Sequence, residues 1–132
     1  MEFSMQKPLL GGTIEMVIYD IDFVLAKLLL EEVHDEGVRL QKIFNLYDSE
    51  SELSYLNTKR SLYVSPELLE VIQKATTLSK KTQGDYDISR GKQFLEQKKC
   101  ERLSPIGCSY KDILIEGNKI TLTHQDVLID LG

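Results

Sequence analysis

Between Leu10 and Tyr19 apolar and polar positions alternate imperfectly, with Ile14, Met16 and Ile18 on one side and Thr13, Glu15 and Val17 on the other. This predicts a strand, opened by Gly11 and Gly12, where a bare backbone either admits a close neighbour or only makes a turn. The period then changes. Ala26, Leu29, Val33, Gly37, Leu40 and Phe44 recur at intervals of three and four, the buried stripe of a long helix that Asp20 or Asp22 caps and that continues to about Asn45. Gly37 on that stripe costs about 1 kcal/mol relative to Ala, so it marks a close helix or sheet contact. Glu31, Glu32, Asp35 and Glu36 lie mainly around the solvated face.

Further on, Ser51 to Leu56 reads as a short helix with Leu53 and Leu56 inward and Asn57 at its end. Ser61 to Val64 reads as a strand. Ser65-Pro66 supplies a hydroxyl cap and a proline at the first helical position, and Leu68, Ile72, Ala75 and Leu78 give that helix its core side as far as Lys81. After a polar loop over residues 82–89, a short helix is expected over Gln93 to Lys99 and a loop from Leu103 to Cys108. Asp112 to Glu116 and Lys119 to Thr123 alternate around Gly117-Asn118, which predicts a tight hairpin, with a last strand over Val127 to Leu131. Apolar stripes alternating with strands imply an α+β fold, a mixed or antiparallel sheet with helices packed on it. Residues 1–8 are expected to be a flexible leader. Ending on an apolar strand predicts that residues 1–132 break off inside a larger domain.

At 132 residues there is room for one core. The net charge of -5 argues against nucleic acid or anionic lipid as partners. The longest near-apolar stretch, Ile21 to Leu30, holds Asp22 and Lys27 and is too short to span a bilayer. Without a secretory signal in view, a cytoplasmic location is expected, or a membrane-anchored or exported form if a leader was removed. Cys100 and Cys108 form no zinc pattern and are read as reduced, non-catalytic thiols, although a disulfide would fit an oxidising compartment. His34 is read as structural, since no second ligand stands at metal spacing. No nucleophile elbow, phosphate loop or zinc-protease motif occurs.

The most chemical stretch is Thr82-Gln83-Gly84-Asp85-Tyr86-Asp87-Ile88-Ser89, two carboxylates around an aromatic ring. With Gly12-Thr13 before it, with Tyr47 followed by Ser51-Glu52-Leu53 and Leu56-Asn57, and with Ile129-Asp130-Leu131-Gly132 after it, it completes an ordered set. Together these pieces resemble the FAD:protein FMN transferase family, known as ApbE, over nearly the whole chain but only about the N-terminal half of the family's domain. Where the family carries Met this chain has Gly11, Asp85 replaces its usual Ala, Lys92 its proline, and there is no Trp.

The resemblance implies that FMN is taken from FAD and joined through its phosphate to a Ser or Thr hydroxyl of an acceptor protein, releasing AMP, with Mg2+ neutralising the pyrophosphate. It brings Gly11, Tyr47, Asp85, Tyr86, Asp87 and Asp130 to one FAD pocket, with Asp87 in reach of the metal directly or through water. The family's Lys-Gly motif and its Thr/Asp metal site fall beyond Gly132, so the fragment by itself is expected to be inactive. Taken singly, Tyr47 also reads as an aromatic packed at a helix end, the Gly84 loop as a capped turn, and Asp130 as a strand-end residue. Two other functions stay open: a non-catalytic flavin-binding or interaction domain, and a hydrolase splitting FAD to FMN and AMP.

Overall fold

In the computed structural model, which describes residues 2–9, 12–19, 22–98 and 107–131 apart from the side chains of residues 94 and 96–98, the chain begins with two antiparallel strands. β1 (Glu2–Leu9) pairs with β2 (Gly12–Tyr19) along its whole length, from Glu2 opposite Tyr19 to Leu9 opposite Gly12. The expected flexible leader is therefore a strand from Glu2 onward. Phe3, Met5, Lys7 and Leu9 turn inward at period two, an alternation that Lys7 and Pro8 hide in the sequence.

α1 (Phe23–Phe44) starts at Asp22, whose Oδ1 accepts from the Leu25 N–H at 3.1 Å; Asp20 lies outside the described residues. Ala26 and Leu30 are its buried positions. Leu9 closes over Gly37, where a Cβ would stand 2.8 Å from the leucine Cδ1, so the glycine does mark a close contact. Val33, on the expected stripe, is 54 % exposed. Periodicity states which side of a helix faces inward and is silent about how far the covering elements reach.

β3 (Ser61–Tyr63), β4 (Ile113–Glu116) and β5 (Lys119–Leu122) form a second antiparallel sheet in the order β3-β5-β4, with the expected turn at Gly117-Asn118. Ile120 and Leu122 of β5 pair with Ile115 and Ile113 of β4. α2 (Glu52–Lys59) and α3 (Pro66–Lys81) contribute Leu53, Leu56, Leu68 and Ile72, which join Ile120, Val127 and Ile129 in a fully buried cluster. The two helices start against each other: the N–H and Oγ of Ser65, the cap of α3, donate to Glu52 Oε1 at 2.8 and 2.9 Å. The fold is thus α+β, with helices on antiparallel sheets.

Three boundaries depart from the sequence reading. α2 runs past Asn57 and is closed by Arg60 at φ 70°, a left-handed conformation that costs a non-glycine residue about 1 kcal/mol. On α3, Leu78 is 45 % exposed and Ser79 takes the buried place, its hydroxyl returned to the Ala75 carbonyl at 3.0 Å. The expected last strand makes a single parallel bridge, Leu128 with Arg90, just before α4 (Gly91–Lys98). Among the described residues no helix is long and apolar enough to cross a membrane.

Candidate functional site

At the end of α3 the chain reverses through Gln83 at φ 52° and Gly84 at φ 89°. The Gly84 N–H returns to the Ser79 carbonyl at 2.9 Å, and Thr82 Oγ1 accepts from the Tyr86 N–H at 3.1 Å. Such a left-handed reversal satisfies the last helical carbonyls. It leaves Asp85 and Tyr86 exposed and carries Asp87 inside.

The Asp87 carboxylate is occupied on both oxygens. Oδ1 accepts from Ser89 N at 2.9 Å and Ser89 Oγ at 2.6 Å, and Oδ2 accepts from Tyr110 N at 3.1 Å. Arg90 Nε stands 3.9 Å from Oδ2, and the Asp87 side chain is only 4 % exposed. These bonds fasten the loop to the turn at Tyr110–Asp112. Beside it, burial pushes the Cys108 thiol above its ordinary pKa, with Ser89 opposing and Asp126, Asp87 and Asp112 adding to the rise. Cys108 is a buried free thiol, and Cys100 lies outside the described residues.

Ile88 to Gly91 then runs alongside Leu128 to Asp130. Leu128 N donates to Ser89 O at 3.2 Å, Asp130 N to Ile88 O at 3.0 Å, and Gly91 N to Leu128 O at 2.9 Å. The approach at Gly91 is close enough that a Cβ would stand 2.5 Å from Leu128 O and 2.9 Å from Asp130 Cβ, which only glycine permits. The backbone groups of Ile129 point the other way. Asn57 Oδ1 accepts from Ile129 N at 2.8 Å, and Asn57 Nδ2 donates to Ile129 O at 3.1 Å. Arg60 donates to Val127 O at 2.6 Å, His124 O at 2.5 Å and Asn57 O at 3.2 Å.

These bonds set Ile88 and Ser89, which directly follow the Gly84 loop, beside the backbone of Leu128 and Asp130. Tyr47 stands on another segment, the α1–α2 connection, 61 % exposed, with its N–H on Asn45 Oδ1 at 3.0 Å. That connection is tied to α2 by Ser51 Oγ on Asn45 O and Ser54 Oγ on Leu46 O. Gly11 lies outside the described residues. Sequence reasoning missed Ser89, Arg60 and the pairing role of Asn57. Asn57 gave one usable signal, a polar residue on the same side of α2 as Leu53 and Leu56.

Among the described residues no three His, Cys, Asp or Glu side chains gather at one point. Asp85 and Tyr86 are exposed and Asp130 is partly buried.

A family description matches here. The model of the ApbE family covers residues 10–132, and the chain belongs to that family. Its fold is that of solved members. It is similar to the flavin transferase ApbE from Vibrio cholerae (20% identity, TM-score 0.78, 99% of this chain and 48% of that one). The same holds for the ApbE protein from Thermotoga maritima (17%, 0.86, 99% and 47%) and the flavinyl transferase ApbE from Pseudomonas stutzeri (16%, 0.78, 99% and 46%). The chain thus spans about half the length of each. No curated protein gives a significant match.

Proposed function

We propose that this chain supplies a flavin-binding half of a transferase that moves FMN from FAD to a Ser or Thr hydroxyl of an acceptor protein. The observation that carries this reading is the family match over residues 10–132, joined to a fold shared with about half of each solved ApbE chain. In the reaction the acceptor oxygen bonds to the FMN phosphorus, the pyrophosphate P–O bond breaks, AMP leaves with the bonding pair, and the hydroxyl proton passes to a base. A divalent cation would lower the charge cost of that displacement.

The described residues act on the binding side of this chemistry. Asp130 and Asp85 offer carboxylate oxygens to ribose, ribityl or ring donors, and Tyr86 and Tyr47 offer ring faces to flavin or adenine. Asp87 holds the loop that carries two of these groups. We assign neither the base nor the cation's ligands to a described residue. The second reading that the sequence left open, binding without turnover by the 132-residue chain, is supported by its spanning about half the length of the solved ApbE chains.

Incubating the chain with FAD, Mg2+ and a candidate acceptor separates the possibilities. FAD binding with neither AMP nor labelled acceptor is the expected result. Robust flavin attachment to the acceptor by this chain alone would show that the chemistry is misplaced here. AMP release without acceptor would make it a hydrolase.

A further inference from the structure

We propose that Asn57 and Arg60 are positioning residues for the candidate site, setting the register of Val127 to Asp130 and with it the place of the Asp130 carboxylate; this rests on the flavin-binding reading of Asp130. The segment is paired on both sides by alternate residues. Leu128 and Asp130 bond to Ile88, Ser89 and Gly91, while the N–H and C=O of Ile129 are both taken by the Asn57 amide. A side-chain amide bonded in this way does for one residue what a neighbouring strand does for many, since it presents one acceptor and one donor.

Register matters here because side chains alternate. Val127 and Ile129 are fully buried, whereas Leu128 and Asp130 are only partly so. A slip of one residue would drive the Asp130 carboxylate into the cluster around Leu53 and Leu56 and turn Ile129 outward. The opposite wall supplies backbone bonds to Leu128 and Asp130, and Asn57 adds the pairing of Ile129 that lies between them. Arg60 fixes the approach to the segment, its guanidinium spanning His124 O and Val127 O. Both clamping residues come from the last turn of α2, so one rigid element sets the segment's height.

The test uses the full 132-residue chain and two readouts: amide hydrogen exchange followed by NMR, and FAD titration. Asn57→Leu removes both bonds to Ile129, Asn57→Asp keeps only the acceptor, and Arg60→Lys keeps the charge but not the fork; the two milder variants serve if Asn57→Leu does not fold. Exchange at Leu128, Ile129 and Asp130 is expected to quicken at least tenfold in the Asn57 variants while β4 and β5 stay protected, with a smaller change in Arg60→Lys. FAD affinity is expected to fall about tenfold in the folded Asn57 variants, and no further when Asp130→Ala is added. A merely structural role would lower urea stability and leave the affinity of the folded protein unchanged, which overturns the proposal. Unchanged exchange at residues 128–130 overturns it as well. If the wild-type chain shows no saturable FAD binding, the flavin reading has failed, and exchange alone then decides whether Asn57 holds the register.

Discussion

Asp87 shows most plainly what a single carboxylate is doing. Three N–H or O–H donors converge on it in a nearly closed setting. Asp87→Asn would keep an oxygen for Ser89 but set an NH2 group against the Tyr110 N–H. Leaving that partly buried donor unpaired costs roughly 1–3 kcal/mol, and urea denaturation should register that loss. A weakened affinity for FAD at unchanged stability would instead restore Asp87 as a ligand-facing group. Its role was not legible in the sequence because one donor, Tyr110, belongs to a distant segment. The Gly84 turn around it was, because the glycine and the Thr82 hydroxyl act locally.

Cys108 has a pH signature. Its thiol pKa is raised by burial in the folded chain, so the native state holds a proton that the unfolded state gives up above about pH 8.5. The sign follows from linkage. The thiol's contribution is intact below the unfolded pKa and is lost as pH rises towards the higher folded value. Stability followed through pH 8 to 10 should therefore fall less steeply in Cys108→Ala than in the wild type, and identical slopes would remove this contribution.

At the scale of elements, caps and stripes account for what the sequence displayed. Ser65-Pro66 opens α3, Asp22 opens α1 and Gly117-Asn118 turns the hairpin, each through chemistry contained in a few neighbouring residues. β1, Val33 and Leu78 were misjudged because their exposure depends on which distant element covers them. Asn57 was taken for a helix stop because its partner, Ile129, is remote in sequence. Two substitutions test the packing side. Ile72→Ala, in the fully buried cluster, should cost about 2–5 kcal/mol. Ser51→Ala should cost about 1–2 kcal/mol, since the hydroxyl caps α2 and also bonds the Asn45 carbonyl. Thermal melts in which the serine change exceeds the isoleucine change would place the stability of this region in its polar ties.

For the whole molecule, the antiparallel sheets, the two long helices α1 and α3 and the order of the motifs point to one family, and the family match confirms that placement. What joins the motifs in space is less apparent: three backbone bonds between residues 88–91 and 128–130, a glycine without room for a side chain, and an amide on α2. These put Ile88 and Ser89, which directly follow the Gly84 loop, beside the backbone of Leu128 and Asp130 and leave Tyr47 on a separate connection. The measurement that bears most directly on the account is a titration of the 132-residue chain with FAD, followed by the quenching of flavin fluorescence. The account predicts saturable binding that weakens about fivefold in Tyr47→Ala, the equivalent of about 1 kcal/mol of ring stacking, and weakens also in Asp130→Ala. Absence of saturation, or binding that neither substitution changes, would contradict it.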